Sequence, residues 1–434
     1  MVPKKFPFVF GEKKFFSYLC SGLFTLIMFL YNLAIRFYQF GILIASIFNP
    51  VIRGMRNGEK QTISLIKSSR KHGERWIWVH AASLGEFEQG RPLIERIKRD
   101  HPEYKVLLTF FSPSGYNVRK NYDKADLVCY LPLDTPKNAR EFIEALRPVK
   151  VYIVKYEFWL NYLYNLRIRD IETYIISAIF RENQVFFKRH GHIFRKGLKS
   201  FWKLYVQNDE SRRLLRRIGF SNVSVTGDTR FDRVSDIAAA AKQLPKVASF
   251  AAGHTTIVVG SSWQPDEALL LPYINEHCKN GVRMIIAPHH VEPDRIKELT
   301  SMLKCRYILY SEVKDDTLMD ADVLVINTIG ILSSIYQYGQ VAYIGGGFGV
   351  GIHNTLEAAV WGMPVVFGPN YKKFKEACEL IECGGAVSIT DIESCGNALD
   401  GYIKDNGKAA NAAKEYVSTH IGATDIIYKE TIQI

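Results

Sequence analysis

The sequence predicts an α/β protein of two doubly wound domains preceded by an apolar helix. Its 434 residues exceed what one hydrophobic core usually organises. From Trp76 onward, short apolar runs alternate with helical patterns, which is typical of parallel sheets built from βαβ units. We therefore expect an N-terminal apolar segment at residues 1–60, a first Rossmann-like domain at 61–240 and a second at 241–434.

The N-terminal segment is apolar for about the length needed to cross a bilayer. Phe16–Ile35 carries no charge, and a second apolar run, Phe37–Ile47, follows Arg36. Basic residues flank the segment on both sides, so the positive-inside rule defines its orientation only weakly. We predict membrane attachment, and an amphipathic or core helix pair is the alternative.

Candidate strands follow in two series separated by Ala238–His254, which loses the alternation and is interpreted as the interdomain connection. The first series is Trp76–His80, Lys105–Thr109, Leu127–Tyr130, Val149–Val154, Thr173–Ile176, Leu204–Gln207 and Val223–Thr226. The second series is Ile257–Gly260, Met284–Ala287, Tyr307–Leu309, Val323–Ile326, Val341–Ile344 and Val365–Phe367. Ligands of such sheets bind at the carboxyl ends of the strands, so the residues after each strand are the functional candidates.

The net charge of +12 predicts attraction to an anionic partner. Nucleic acid, a phospholipid surface and a phosphorylated substrate would all fit. The basic run at 188–199 could bind phosphates or be a solvated helix face, and no recognised nucleic-acid motif accompanies it. The seven cysteines are scattered without a CxxC pair, which favours reduced thiols and a cytosolic compartment.

The first predicted strand ends in HAASLGE at residues 80–86. A turn of small residues places Glu86 at the start of a helix, where a carboxylate can act as a general base. The alternative is an ordinary first-turn glutamate that complements the helix dipole.

A glycine-rich loop follows the strand Val341–Ile344, and it begins with Gly345, Gly346 and Gly347. Glycines let a phosphate approach the backbone, and a helix opening near Asn354 offers free N–H groups to that anion. Glu357, in the first turn, could then bind ribose hydroxyls. Tight turns use the same residues, so the loop alone is a weak signal.

His289 and His290 follow the strand Met284–Ala287, where a histidine can donate to a phosphate or a base. Surface histidines would look the same, and two adjacent ones without a third ligand make a poor metal site. We therefore predict metal-independent chemistry without a cofactor.

Taken together, these motifs resemble the 3-deoxy-D-manno-octulosonic acid (Kdo) transferases of lipid A assembly, over nearly the whole chain. The resemblance is carried by HAASLGE (80–86), SPSG (112–115), a strand followed by EFW (151–159), VTGDTRFD (225–232), APHH (287–290) and GGGFGVGIHNTLEAAVWGMPVVFGPN (345–370). It implies a GT-B-type fold of two Rossmann-like domains facing a cleft. Residues 1–60 would be the membrane anchor, 61–240 the acceptor-binding domain and 241–434 the nucleotide-sugar-binding domain. It also implies inverting transfer of Kdo from CMP-Kdo to a phosphorylated lipid A precursor, lipid IVA, at the cytoplasmic face of the inner membrane.

The resemblance also implies roles for individual residues. Glu86 would be the general base and Arg230 the transition-state stabiliser, in a catalytic set that also holds Lys155 and Glu157. The implied CMP-binding set is His289, His290, Ile329, Gly330, Ile331, Asn354, Thr355, Leu356 and Glu357, with Gly345, Gly346 and Gly347 as the phosphate loop. The partners would be CMP-Kdo, the lipid precursor and an anionic membrane surface, and not nucleic acid.

The chain departs from the family pattern at several of these positions. Lys155 replaces a carboxylate, His289 replaces an arginine and Ile331 replaces an acidic residue. Two alternatives therefore stay open. One is another GT-B transferase or epimerase that uses a UDP-sugar, and the other is a membrane-bound binding protein with a degenerate site.

Overall fold

The computed structural model describes residues 10–277, 281–313 and 320–433, and for 10–25, 190, 192 and 193 it describes the backbone alone. Residues 1–9 of the predicted anchor segment, and two histidine side chains of the basic run at 188–199, lie outside this description. The chain forms two compact units. The first runs to Arg230 and takes back Gly422–Ile434, and the second is Phe231–Ile421.

Two helices begin the described chain: α1 (Phe10–Phe48) and α2 (Pro50–Ser69). The two predicted apolar runs therefore join into one continuous helix through Arg36. Asn49 separates α1 from α2, and its side chain accepts hydrogen bonds from the backbone N–H groups of Val51 and Ile52, as an N-cap does. Within α1, Leu26–Phe48 has the length and the mean hydropathy, 1.5, of a candidate membrane span.

The first unit contains a sheet of seven parallel strands in the order β3-β2-β1-β4-β5-β6-β7. The strands are β1 (Arg75–His80), β2 (Tyr104–Phe110), β3 (Leu127–Tyr130), β4 (Lys150–Val154), β5 (Glu172–Ala178), β6 (Lys203–Val206) and β7 (Val223–Val225). Helices alternate with them: α3 (Leu84–Asp100), α4 (Pro113–Arg119), α5 (Pro136–Leu146), α6 (Leu160–Ile168), α7 (His192–Leu198), α8 (Asp209–Arg217) and α9 (Arg230–Ala239). Short 3₁₀ turns occupy Val185–Phe187 and Arg189–Gly191.

The second unit repeats this architecture in the order β10-β11-β9-β8-β12-β13-β14, again with every pair parallel. The strands are β8 (Thr255–Ser262), β9 (Val282–Pro288), β10 (Tyr307–Leu309), β11 (Val323–Val325), β12 (Val341–Ile344), β13 (Val365–Phe367) and β14 (Ala386–Ser388). The helices are α10 (Pro245–Ala251), α11 (Gln264–His277), α12 (Pro293–Ser301), α13 (Leu332–Ile335), α14 (Leu356–Ala359), α15 (Lys375–Glu382), α16 (Ile392–Lys404), α17 (Gly407–Thr419) and α18 (Ala423–Thr431), the last of which belongs to the first unit. Short 3₁₀ turns occupy Tyr310–Glu312 and Tyr336–Tyr338.

The predicted fold class, two doubly wound α/β domains with an apolar N-terminal helix, is confirmed. Every predicted strand is present with ends within two residues of those expected, because each is a short run rich in β-branched or other apolar residues. The strand that sequence reasoning missed is β14 (Ala386–Ser388). Its three residues, Ala-Val-Ser, include only one large apolar side chain, so it lacks that signal.

The division into units differs from the predicted boundaries at both ends of the second domain. Residues 238–254, interpreted as a connection, contain α10, whose Val247 and Phe250 are fully buried in the core of the second unit. Helix α18 packs on the first unit instead, where Thr431 bonds the hydroxyl of Tyr152 at 2.6 Å. A terminal helix carries no sequence signal for which core it will join.

The cysteines depart in part from the predicted reduced state. Cys129, Cys378, Cys383 and Cys395 are free thiols. Cys305 is disulfide-bonded, so the prediction is wrong at that position. The side chains of Cys20 and Cys278 lie outside the described residues.

The strand order changes direction between β1 and β4 in the first unit and between β8 and β12 in the second. Loops that leave neighbouring strands in opposite directions open a crevice at such a switch point, where doubly wound sheets bind their ligands. The loops after β1 and β4 carry Glu86 and Glu157. Those after β8 and β12 carry Trp263 and the glycine-rich loop.

Candidate functional site

Glu86 lies at the switch point of the first unit, in the first turn of α3. Its Oε2 accepts a hydrogen bond of 2.6 Å from the backbone N–H of Ala82. Ser83, the N-cap residue, makes no side-chain capping bond. The Glu86 carboxylate therefore provides the side-chain hydrogen bond to a backbone N–H of the turn that precedes its own helix. The predicted alternative, a first-turn glutamate with a capping role, therefore has structural support beside the catalytic interpretation.

The surroundings of Glu86 favour the protonated form of its carboxyl group. Burial raises its pKa, and the nearby Glu157 carboxylate raises it further. The Ala82 N–H, His80 and Lys155 oppose this effect without cancelling it. A carboxylate with a raised pKa accepts a proton more readily, which is the property that a general base needs.

The loop after β4 brings two more of the predicted catalytic residues to the same place. Lys155 adopts a left-handed backbone conformation (φ +60°), which is uncommon outside glycine and asparagine. Its N–H donates to the Ile176 carbonyl at 3.0 Å, which holds this conformation. Glu157 follows, and it accepts a hydrogen bond from the indole N–H of Trp159. Its Oε2 lies 3.9 Å from Nε2 of His80, a residue that is 1% exposed.

Arg230, the predicted transition-state stabiliser, is held by a buried aspartate. Its Nε and one terminal nitrogen lie 3.0 and 2.9 Å from Oδ2 of Asp228, and its backbone N–H donates to Oδ1 at 3.0 Å. Gln89, on α3, donates to the same Oδ2 at 2.7 Å. Burial alone would raise the pKa of Asp228, but the charge of Arg230 and its hydrogen bonds to the carboxylate together outweigh burial, and the pKa is lowered. Lys155 contributes in the same direction.

The structure thus brings Glu86, Glu157, Lys155 and Arg230 into one cluster of charged groups in the first unit. Glu157 and Lys155 act on the ionisation of Glu86, and Lys155 and Arg230 act on that of Asp228. Such a cluster can take a proton at Glu86 and can present cations to an anionic substrate.

The second unit presents a stack of neutral rings at its switch point. The Trp263 and His289 rings are stacked with centroids 4.4 Å apart, and the His289 and His353 rings are 4.7 Å apart. His290 meets Trp263 and His289 edge-on, at 5.0 and 4.9 Å. The Trp263 indole N–H donates to Nε2 of His353 at 2.8 Å, which fixes that nitrogen as an unprotonated acceptor.

Two histidines of this stack, His289 and His353, have lowered pKa values. Burial lowers the pKa of His353 to about 4, and His289 contributes to that shift. Burial, with the neighbouring His290, also lowers the pKa of His289. Neutral rings suit a planar, uncharged group such as a base better than they suit a bare phosphate.

The three glycines of the predicted phosphate loop pack backbone against backbone. A Cβ at Gly345 would lie 2.2 Å from the Ser261 carbonyl oxygen, and one at Gly347 would lie 2.5 Å from the Gly368 nitrogen. Gly346 has φ +90°, and its N–H donates at 2.7 Å to Asp266. The Gly345 N–H also has a partner, so neither of these two N–H groups is free to bind a phosphate. The two glycines can still let a ligand come close to the backbone of the loop, because they have no side chain.

The side chain of Asp266 holds the glycine-rich loop in place. It is completely buried, and it accepts hydrogen bonds from the N–H groups of Gly346 and Trp263 and from the Tyr343 hydroxyl. One carboxylate therefore fixes both the glycine loop and the start of the aromatic stack. Asp266 is a positioning residue that sequence reasoning missed.

The predicted ribose and phosphate ligands surround the start of α14. Oδ1 of Asn354 accepts from the Leu356 N–H at 3.2 Å, and its amide nitrogen donates to Oε1 of Glu357 at 3.0 Å. Leu356 is fully buried, so only its backbone is available to a ligand. Thr355 is 1% exposed, and its hydroxyl has no hydrogen-bond partner among the described residues.

The remaining predicted CMP ligands follow β11, which pairs with β9 and so ends at the same edge of the sheet as His289. Ile329 is 83% exposed, and Gly330 adopts φ +88°. Ile331 is partly buried and precedes α13. There is open space beside Gly330, where an added Cβ would meet no atom within 4 Å.

Among the described residues, no group of three or more metal-ligating side chains is close enough to hold a metal ion. Asp320 and Asp322 form an Asp-x-Asp element, but both pair with Arg306 at the amino end of β11, away from the ligand-binding edge. Metal independence stays a prediction.

Sequence reasoning missed Trp263, His353, Asp266 and Asp228 as site residues. Trp263 directly follows the eight-residue β8, so its position after a strand was the available signal. His353 and Asp228 lie inside motifs that sequence reasoning identified. Asp266 could not have been found, because nothing along the chain indicates that it reaches Gly346, eighty residues away.

Comparison with known proteins places these features in a family context. Residues 57–233 match the family model of 3-deoxy-D-manno-octulosonic-acid transferase (kdotransferase). The 3-deoxy-D-manno-octulosonic acid transferase of Aquifex aeolicus is 29% identical over 325 residues, which cover 74% of this chain and 83% of the relative. The Haemophilus influenzae transferase of the same description is 25% identical over 374 residues, 80% of this chain and 84% of the relative.

Solved structures show the same architecture. UDP-GlcNAc 2-epimerase from Neisseria meningitidis matches with a TM-score of 0.56 at 16% identity, covering 83% of this chain and 100% of its own. The calicheamicin glycosyltransferase CalG4 matches with a TM-score of 0.52 at 11% identity, also covering 83% and 100%. At such identities the likeness concerns the fold alone, and it is a GT-B-type fold.

Proposed function

We propose, because this chain belongs to the Kdo transferase family, that it transfers Kdo from CMP-Kdo to a hydroxyl group of the phosphorylated lipid A precursor lipid IVA. Family and fold make the chain a glycosyltransferase of lipopolysaccharide biosynthesis, as its motifs predicted. The donor, the acceptor and the roles of individual residues are the proposed part.

The observation that carries the proposal is the charged cluster of the first unit. Glu86 would take the proton of the acceptor hydroxyl as the anomeric carbon is attacked, since its pKa is raised by burial and by Glu157. Inversion follows from a single attack on the face opposite the leaving CMP. CMP departs as an anion and needs no proton, so one base suffices.

Arg230 and Lys155 would supply positive charge to the anionic groups of the substrates. The guanidinium keeps its orientation through Asp228, which leaves it pre-positioned before substrate binds. The replacement of a family carboxylate by Lys155 adds a cation rather than removing a function. The cluster therefore favours an enzyme over a binding protein with a degenerate site.

The second unit would hold CMP. The neutral stack of Trp263, His289 and His353 offers a flat apolar surface, and the residues from Asn354 to Glu357 offer hydroxyl- and phosphate-binding groups. The buried unpaired hydroxyl of Thr355 supports a ligand at this place, because such groups normally have a partner.

A lipid acceptor accounts for the apolar N-terminal helix and for the net charge of +12. We place the protein at the inner membrane, with both catalytic units on the cytoplasmic face, where a nucleotide-activated sugar is available. Nucleic acid is not a proposed partner.

The decisive experiment incubates the purified full-length protein with CMP-Kdo and lipid IVA, and follows the mass of the lipid. Mass increments of whole Kdo residues, unchanged by EDTA, are expected. Product formed from UDP-N-acetylglucosamine instead, or epimerisation of that sugar, would favour the alternative enzyme class. CMP binding without any transfer would favour the binding protein.

A further inference from the structure

The candidate span of α1 has two different faces. Large apolar side chains recur on one face at intervals of three and four residues and are exposed: Leu26, Phe29, Leu33, Phe37, Phe40 and Ile44. That spacing keeps them on one side of a helix, and Phe37 near the middle is 68% exposed. We call these six residues the apolar stripe. A stripe of this size on one side of a helix marks contact with lipid or with protein.

The opposite face of α1 is bonded to the body of the first unit. The Tyr31 hydroxyl donates to Oδ2 of Asp134 at 2.6 Å, and Asn32 accepts from the side chain of Asn161 at 2.8 Å. Toward the other end, Ile42 is buried and Ser46 is 3% exposed. Contacts with the unit therefore extend over about fifteen residues, or roughly 22 Å of helix.

These contacts are incompatible with a helix that crosses the bilayer. A bilayer core is about 30 Å thick, so a crossing α1 would draw the surface bonded to it into the hydrocarbon. That surface includes the charged side chains of Arg56, Lys60 and Lys137, beside Arg36 of α1 itself. Each charge at the bilayer centre costs several kcal/mol. A helix lying in the interface would keep these cations at the level of the lipid headgroups and would bury only the apolar stripe.

A cavity of about 530 Å³ lies beside this helix, between α1, α2 and α5. Four cations line it: Arg36, Arg56, Lys60 and Lys137. Two carboxylates also line it. Glu141 lies 3.9 Å from Lys137, and the pKa of Glu59 is raised to about 7 by burial although Arg56 lowers it. Positive charge therefore predominates, beside the apolar side chains of Phe40 and Leu43.

We infer that the segment Leu26–Phe48 lies in the plane of the membrane interface, with the apolar stripe among the acyl chains and the cavity holding phosphate groups of anionic phospholipid, and does not cross the bilayer. The occupant is a lipid surface rather than another protein, because cations flank the stripe where lipid headgroups would lie. The inference deepens the proposed function, on which it rests for the membrane location.

This arrangement would place the reaction next to the membrane. Asp134, the partner of Tyr31, also accepts from the N–H groups of Asn161 and Tyr162 in the first turn of α6. Helix α6 begins three residues after Glu157, and the Glu157 carboxylate is within electrostatic range of the Tyr31 hydroxyl. A hydroxyl of a lipid in the same leaflet would then lie near the charged cluster.

Depth measurement tests the orientation. Single cysteines at Leu30, Phe37 and Ile44, in a full-length background with Cys20, Cys378 and Cys383 changed to serine, would carry an environment-sensitive fluorophore. Nitroxide-labelled lipids then report its depth in vesicles of equal phosphatidylcholine and phosphatidylglycerol. The inference predicts the same shallow depth for all three probes. A Phe37 probe roughly 10 Å deeper than the Leu30 probe, as seven residues of a crossing helix require, would overturn it.

Charge reversal tests the cavity in the same vesicles. Arg56→Glu with Lys60→Glu should weaken binding roughly tenfold or more, and phosphatidylcholine alone should bind weakly. The matched control is Lys297→Glu with Lys304→Glu, the same charge change at exposed positions of the second unit, which should have much less effect. Equal losses for the two pairs, or no preference for the anionic lipid, would refute the phosphate site. Neither measurement uses CMP-Kdo, so both stand if transfer is not observed.

Discussion

The two units share one architecture and differ in the chemistry at their switch points. In the first unit, the loops after β1 and β4 gather ionisable groups, and Glu157 and Lys155 there act on the pKa of Glu86. In the second, the loops after β8, β9 and β12 gather aromatic rings, among which His289 and His353 have lowered pKa values. The same fold position therefore carries proton-handling groups in one unit and a stacking surface in the other.

Two units of the same architecture can therefore take different parts of a transfer reaction. A charged cluster in a partly buried loop changes protonation state and suits the reacting groups. A rigid neutral stack above a buried carboxylate, Asp266, changes little with pH and suits recognition of a nucleotide. Variants on the two sides should accordingly separate turnover from binding.

The largest expected effect is on turnover at the first unit. Glu86→Gln should lower the transfer rate roughly a hundred- to ten-thousand-fold, the range typical of losing a general base, while CMP affinity stays unchanged. The amide can still accept the hydrogen bond from Ala82, so the turn into α3 should persist. Transfer rate, CMP affinity and melting temperature would be measured on the same preparation.

Glu88→Gln is the matched control for this variant. Glu88 lies two residues along α3 and pairs with Arg119 at 2.9 Å, outside the cluster. It should retain nearly normal transfer. If Glu86→Gln instead lost melting temperature and kept its rate, Glu86 would be a capping residue, worth up to about 1 kcal/mol, and not the base.

A smaller effect is expected on nucleotide binding at the second unit. Glu357→Ala should weaken CMP binding by about 1–3 kcal/mol, the scale of a lost hydrogen bond involving a charged group. Calorimetry on the variant, beside Glu393→Ala as a first-turn glutamate of another helix, measures it. Equal CMP affinities for wild type and Glu357→Ala would move the ribose site elsewhere.

The sequence predicted those parts of the molecule whose signal is local. Thirteen strands were predicted because each is a short apolar run. Glu86 and Glu357 became candidates because strand ends and glycine turns mark them. The N-terminal apolar segment was also recognised, since hydropathy is a sum over neighbours. Local patterns sufficed for fold class and for most of the candidate site.

What the sequence could not predict depends on contacts between distant residues. The bond from Asp266 to Gly346 and the bond from Tyr31 to Asp134 join positions about eighty and a hundred residues apart. The raised pKa of Glu86 depends on burial and on Glu157, which only the fold brings near. Likewise, the return of α18 to the first unit follows from packing that no periodicity encodes.

A change at Glu157 tests how the charged cluster of the first unit acts on Glu86 while Glu86 itself is kept. Glu157→Gln should shift the acidic limb of the pH–rate profile to lower pH, because the Glu157 carboxylate raises the pKa of Glu86. The amide oxygen can still accept from the Trp159 indole, so the loop should keep its conformation. A uniform loss of rate at every pH, without a shift, would indicate that Glu157 has a structural role only.

The smallest expected effect is on the pH dependence of stability in the second unit, and it comes from His353. Burial lowers its pKa to about 4 in the folded protein, below the ordinary value of 6.5. The unfolded chain therefore takes up a proton there between about pH 6.5 and 4 while the folded protein does not, and stability falls as pH falls through that window.

His353→Phe keeps an aromatic ring in the stack and removes this titration. Melting temperatures at pH 7, 6 and 5 should decline less steeply for the variant than for wild type. The difference between the two slopes corresponds to at most one proton taken up on unfolding. Only the slope is informative, because the variant also loses the hydrogen bond from Trp263 at every pH. An unchanged slope would mean that His353 is not held neutral, and the second unit would then resemble the charged first unit more than the stack of rings suggests.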